Sequence, residues 1–271
     1  PPMHPIAVGE TFEAGPFAIE PFHVNHSIVD AMGLILQTPA GVVVHSGDFK
    51  IADTPADDPF PRDRLEQLGD EGVALLMSDS TNVFSEGRSG DEKDAAEALD
   101  RLIGDLPNRV VVALFASNVH RMRSAFDSAR KHGRRVLLLG RSVRKHFELA
   151  RELGHLKNVS DLVVHPADAR KLPRSELLVL ATGTQGEAPA ALAKLARKEH
   201  RDLDLEPGDS VVFSSRIIPG LERSVFAVRD QLARIGVTVH HRKSDPGVHV
   251  SGHAYRDEQR MLIEWLRPKC F

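Results

Sequence analysis

From residue 92 onward, apolar strand-like runs alternate with amphipathic stretches of helical period, and few architectures accommodate such an alternation. The spacing predicts helices over 92–103, 119–131, 143–153, 189–198, 222–235 and 256–266. It predicts strands over 109–115, 136–139, 177–181, 210–214 and 238–242. Strands separated by helices pair in parallel, because the helix carries the chain back to the starting edge; the expectation is a doubly wound α/β sheet.

The first fifty residues follow a different rule. Turn signals at Gly15-Pro16, Pro39-Ala40-Gly41 and Ser46-Gly47 punctuate short runs such as Phe17-Ala18-Ile19 and Gly33-Leu34-Ile35-Leu36, the pattern of antiparallel strands. A Pro/Asp-rich loop over 53–62, a short helix over 64–68 and a strand over 73–77 follow. Ser85-Glu86-Gly87-Arg88-Ser89-Gly90 has linker composition, so a domain boundary is expected there.

Composition narrows the function classes. With 35 basic and 38 acidic residues the net charge is -3, so nucleic-acid binding has to come from a local patch. The one cysteine, Cys270, excludes an intrachain disulfide and a Cys-rich zinc knuckle, which suits a reducing cytoplasm. No run approaches the ~18 apolar residues of a membrane span. Pro1-Pro2-Met3-His4-Pro5 reads as the interior of a longer protein.

Two stretches carry candidate chemistry. Val42-Val43-Val44 runs into His45-Ser46-Gly47-Asp48 and displays the Asp48 carboxylate at a strand end; upstream, Phe22-His23-Val24-Asn25-His26-Ser27 ends in a histidine. Imidazole and carboxylate from neighbouring loops suit a metal ion. Taken singly, each is more often a hydrogen-bonded turn residue. Ser117-Asn118, at a strand-to-helix turn, offers backbone N–H groups to a phosphate or else simply caps the helix, and Ser214-Ser215 has the same two readings. Arg121, Arg123, Arg141, Arg144 and Lys145 lie near these loops, where charged helix faces are usually just solvated.

The order of motifs resolves more. His26-Ser27-Ile28-Val29-Asp30-Ala31, His45-Ser46-Gly47-Asp48-Phe49-Lys50 and Ser78-Asp79-Ser80-Thr81-Asn82 resemble the metallo-β-lactamase core of the β-CASP nucleases. Phe115-Ala116-Ser117-Asn118-Val119-His120-Arg121, Thr182-Gly183-Thr184-Gln185-Gly186-Glu187, Ile218-Pro219-Gly220 and Val248-His249-Val250-Ser251-Gly252-His253-Ala254 resemble the RNase J branch. The resemblance implies a partial metallo-β-lactamase αββα sandwich over 1–85 and 249–271, with an inserted Rossmann-like β-CASP domain of parallel sheet over 86–248.

It implies function as well: hydrolysis of single-stranded RNA by a two-zinc ribonuclease of RNA processing and decay, acting as a 5′-to-3′ exonuclease with endonuclease cuts as a further option. The site residues implied are His26 and Asp48 as metal ligands, Asp48 bridging two ions. His253 is the group reaching the scissile phosphate and serving as acid, and Asp79 is its acidic partner. Ser117, Asn118, Ser251 and His249 are the RNA contacts, and Ser117, Asn118, Ser251 and His253 are expected along one groove. His23 and His45 fall outside the matched positions and stand as structural residues. A cytoplasmic homodimer or homotetramer is expected of the intact protein.

The sequence departs from the family in three places. It has no His-x-His-x-Asp-His run, it stops at Phe271 before the family's last metal-site histidine, and Tyr255 stands where related nucleases often carry a phosphate-touching serine. The expectation is a fragment that is inactive and weakly metal-binding alone. Two rivals are a non-catalytic RNA-binding or assembly module, which missing ligands would suit, and a small-molecule hydrolase of the same core fold, which has no need of the long insert.

Overall fold

The computed structural model describes residues 3–53 and 58–271, and its backbone divides into two units, Pro1–Asp91 with Ser251–Phe271, and Glu92–Val250. Pro1-Pro2 and most of the first half of the Pro/Asp-rich loop lie outside the described residues.

In the first unit, β1 (Phe12–Ala14), β2 (Phe17–His23), β3 (Met32–Thr38) and β4 (Gly41–His45) pair antiparallel in sequence order. Then α1 (Arg62–Glu71) carries the chain across, so β5 (Val73–Met77) joins β4 in parallel. Residues 269 and 270 run alongside β5, with the Lys269 amide on Val73 O and Leu76 N donating to Cys270 O at 3.0 Å. Leu65 and Leu68 of α1 and Leu262, Trp265 and Leu266 of the last helix, Arg256–Leu266, recur at helical spacing and bury one stripe each against Ile35, Val44 and Leu76.

The last helix is anchored by a charge. Glu258 is fully buried, and its carboxylate accepts from the amides of Ile51 (2.9 Å), Ser89 (2.8 Å) and Tyr255 (2.8 Å) and from the Ser89 hydroxyl (2.8 Å). The bond to Tyr255 is the back-reaching half of a capping box, and the others draw in two distant segments.

The second unit holds the expected parallel sheet. β6 (Val110–Ala113), β7 (Arg135–Leu139), β8 (Leu177–Ala181), β9 (Ser210–Phe213) and β10 (Thr238–His240) lie in the order β10-β9-β6-β8-β7, all pairs parallel. Val111 of β6 sits in register with Val179 on one side and Val211 on the other, and all three are fully buried. The connecting helices are α2 (Glu92–Asp105), α3 (Val119–Lys131), α4 (Arg141–Glu152), α5 (Pro166–Ala169), α6 (Ala191–Ala196) and α7 (Glu222–Arg234). Val163 bridges the outer side of β7 at Val136.

Three helices differ clearly from the sequence expectation. α1 runs over Arg62–Glu71 rather than 64–68, because its buried Leu65 and Leu68 sit mid-helix. α6 is shorter than 189–198, because its buried stripe begins only after Pro189-Ala190 and Lys198 takes a left-handed φ of 58°. α5 lies where the apolar periodicity predicts no element; its signal is His165 at the N-cap with Pro166 in the first turn.

Fully buried Arg121 on α3 is paired with Glu92 at 2.9 Å and also donates to Val248 O at 3.0 Å and to the Ser214 hydroxyl. The helix beginning, α2 and the segment before residue 250 are thereby joined through one guanidinium, whose planar fork suits several acceptors at once.

Removal of the Glu258 carboxylate leaves four donors without their acceptor. We expect Glu258→Ala to lower the unfolding free energy by about 3 kcal/mol or more. Urea denaturation is the measurement, and a loss below about 1 kcal/mol would show that the carboxylate is dispensable.

Candidate metal centre

The site grows from the ends of β2, β4 and β5. After β2 the chain continues through Val24 and Asn25 to His26, and an antiparallel bridge between Asn25 and Lys50 (Lys50 N to Asn25 O, 2.8 Å) holds the His26 loop beside the Asp48 loop. The turn at Gly47 has φ 61° and passes so close to β3 that a Cβ would lie 2.6 Å from Met32 O, so only glycine fits between His45 and Asp48. Ser46 is buried, and its hydroxyl accepts from the amide of Asp79 at 2.9 Å, which ties the end of β4 to the end of β5.

Ser251 organises the third loop. Its hydroxyl accepts from Asn82 Nδ2 at 2.8 Å and from His253 N at 3.0 Å, and lies 3.1 Å from His253 O. Gly252 touches the His26 ring: a Cβ there would come within 2.9 Å of it, and Gly252 O lies 2.7 Å from His26 Nδ1. That bond places a proton on Nδ1 and leaves Nε2 as the lone-pair nitrogen, 4.0 Å from Asp48 Oδ2. The His253 ring stands edge-on to His26 with centroids 4.9 Å apart, and its Nδ1 is 2.7 Å from Asp79 Oδ2.

Donor atoms of His26, Asp48 and His253 therefore lie within 4.8 Å of one another. Donors on one tetrahedral zinc are roughly 3.4 Å apart, so the loops have to draw together by about an ångström to seat a single ion. The chemistry of the set fits as well. Each imidazole has its Nδ1 engaged by an oxygen, the arrangement that orients metal-bound histidines.

Burial holds the His26 pKa below 6.5, against the bond from Gly252 O and with the help of nearby His253, so the ring is neutral and ligand-competent at pH 7. Burial alone would raise the Asp79 carboxyl; hydrogen bonds from His253 and Thr81 outweigh it and bring the pKa down to about 2.

The remaining sequence candidates are placed as follows. Asn118 is buried and its Oδ1 accepts from Arg121 N at 2.9 Å, the N-cap of α3, with half-buried Ser117 beside it. His249 is half-buried and belongs with them to the second unit, whereas Ser251 is buried in the turn that sets His253. Ser214 donates to Val248 O at 2.6 Å. His23 is buried against Asn25 Nδ2, and exposed His45 accepts from Gly47 N at 3.0 Å, so both serve their own loops. Sequence reasoning kept His253 apart from the ligand pair and assigned nothing to Ser46 or Gly252; their signal was adjacency to Asp48 and His253 in the same motifs.

Known proteins resemble this chain over most of its length. Residues 107–232 match the family described as Ribonuclease J, beta-CASP domain. The chain is ribonuclease J-like. Ribonuclease J of Corynebacterium glutamicum is 44% identical over 258 residues, covering 95% of this chain and 36% of that protein. Ribonuclease J of Helicobacter pylori strain J99 is 40% identical over 269 residues, covering 98% of this chain and 38% of its own length.

The ribonuclease J-like chain thus spans little more than a third of these curated relatives. A crystal structure of a protein of unknown function from Enterococcus faecalis V583 superposes with a TM-score of 0.69 over 99% of this chain and 60% of that one, at 16% identity, a likeness of fold. The α/β architecture with its parallel sheet is that of a metallo-β-lactamase core carrying a β-CASP domain. Among the described residues no helix is long and apolar enough to cross a membrane.

The Asp79–His253 pair has a measurable consequence. A carboxyl whose folded pKa is depressed stabilises the fold above its ordinary value near 3.8 and loses that contribution as pH falls toward 2. In a carbon-detected NMR titration we expect the Asp79 midpoint near 2 in the wild type, rising toward 3.8 in His253→Ala. With screening allowed for, the stability difference is about 1 to 2 kcal/mol at neutral pH and vanishes in acid. An unmoved midpoint would remove His253 as the cause.

Proposed function

We propose that this chain is part of a metal-dependent ribonuclease that hydrolyses phosphodiester bonds of single-stranded RNA, with two zinc ions in the intact enzyme. The convergence of His26, Asp48 and His253, with Asp79 behind His253, carries the reading. The ribonuclease J relatives support RNA as the substrate. The finer reading is 5′-to-3′ exonuclease action with endonuclease cuts, in cytoplasmic RNA processing and decay, by a homodimer or homotetramer.

His26 Nε2 and the Asp48 carboxylate would hold metal on the loops after β2 and β4. A divalent ion bound there supplies an activated water and positive charge for the phosphoryl oxygens. Asp79 fixes the His253 ring through Nδ1, so Nε2 is the nitrogen left to hold a proton for the leaving oxygen. Ser251 and Gly252 position that ring through backbone and hydroxyl contacts. Phosphate contacts by Ser117, Asn118 and His249 belong to the same reading, Asn118 through its loop, because its own Oδ1 caps α3.

A second reading has its own observation. His253 lies inside the triad with a carboxylate on its far nitrogen, as metal-bound imidazoles often do, and this geometry favours a ligand role for it.

One comparison in the full-length protein separates them. We expect His253→Ala to lower kcat on single-stranded RNA by roughly 10² to 10⁴ with zinc content unchanged, and Asp48→Ala to lose zinc together with activity. Loss of zinc from His253→Ala would assign it as a ligand instead. Wild-type RNA turnover in both variants would sink the nuclease reading and favour the non-catalytic module.

A further inference from the structure

The second unit carries a cleft of about 460 Å³ that shares no residue with the metal centre. It opens at the carboxyl ends of β7 and β8, between the first turn of α4, the start of α6 and the segment that follows α6. Crevices at this edge of parallel sheets are common ligand sites.

Its walls are out of charge balance. Arg141, Arg144, Lys194 and Arg201 face Glu199 and Asp202, four cations against two carboxylates. Both carboxylates are already engaged. Glu199 accepts from Arg197 at 2.7 Å, and Asp202 lies 3.5 Å from Arg201 and 3.9 Å from Arg144. Among the described residues Arg141 and Lys194 have no carboxylate partner, and they line one concavity. Arg144 is set in place, its Nε donating to Leu138 O at the end of β7 at 3.1 Å. His200 contributes a ring whose Nδ1 accepts from Asp202 N at 3.2 Å; burial, with Lys194, Arg144 and Arg201 nearby, keeps its pKa below 6.5 and the ring neutral.

Like charges converging in a cleft raise the local potential and are relieved by an anion. The excess of two positive charges matches a phosphomonoester, arginine forks suit its oxygens, and the volume lies in the range of small-ligand sites. No aromatic ring other than His200 lines the cleft, so the phosphate rather than a stacked base has to dominate recognition. We propose that this cleft binds a phosphomonoester of nucleotide size, with Arg141 and Lys194 as its phosphate contacts and Arg144 as the positioned third. The inference stands independently of the ribonuclease reading, since it uses none of the metal-centre residues.

Calorimetric titration of the full chain with AMP, inorganic phosphate and adenosine, at fixed ionic strength, tests it. The comparison is with an Arg141→Gln/Lys194→Gln double variant whose melting temperature is checked alongside. Both side chains are exposed, so the variant should fold normally. The expected result is AMP binding that weakens about tenfold or more in the double variant at unchanged melting temperature, with no binding of adenosine. Phosphate binding as tightly as AMP, and equally lost in the variant, would support the phosphate contacts and make the free ion the source. AMP binding unaffected by the double substitution, adenosine binding as well as AMP, or binding of a single-stranded RNA oligonucleotide without any of AMP or phosphate would overturn the proposal.

Discussion

A single buried carboxylate frames the candidate metal centre. Glu258 sits in the first turn of the last helix, yet its acceptors are used by Ile51, three residues beyond Asp48, and by Tyr255, two residues beyond His253. The amide of Ala254 adds a bond to Phe49 O at 2.6 Å between the same two stretches. Loops that meet from opposite ends of the unit's sequence are thus fixed by shared backbone bonds, before any side chain of the site is considered. Burying a charge is costly unless it is fully hydrogen-bonded, and four donors meet that condition here. The geometry of donors within 4.8 Å of one another is inherited from this frame.

Preorganisation continues inward. His26 and His253 are each held by an oxygen at 2.7 Å on Nδ1, one from a backbone carbonyl and one from a carboxylate. The difference matters chemically. A carbonyl fixes a tautomer without adding charge, while a carboxylate with a pKa of about 2 brings a permanent negative charge to the ring it orients. Asp48, by contrast, is exposed, free to adjust to whatever ion or water it meets. The site thus joins two rigid imidazoles to one adaptable carboxylate.

Much of this was legible in the sequence. The alternation beyond residue 92 gave the parallel sheet because its strands are buried on both faces, and runs such as Val110–Ala113 have no other physical use. The antiparallel start was readable from its turn residues. His26, Asp48, Asp79 and His253 were readable only through the order of their motifs, since each alone is an ordinary turn residue. Glu258 was not readable at all: a glutamate in the first turn of a helix is expected to face water, and its burial follows from long-range contacts that no local pattern encodes. The same holds for Arg121, which on spacing belonged to a solvated basic face and proves to be fully buried. Asn118 had two readings, and its hydrogen bond to Arg121 N supplies the capping one directly.

The borders of the two sheets have a further consequence. A strand with a free side is a template on which another chain can extend the sheet, the first step toward aggregation. Here β1 and β10 are only three residues long, β5 is flanked by residues 269 and 270, and β7 is bridged by Val163. Among the described residues, β1 and β10 thus present only short edges, and β5 and β7 are each covered in part. The most apolar strands, β6 and β8, lie inside the sheet, so the backbone most prone to extend onto another chain is already paired on both sides.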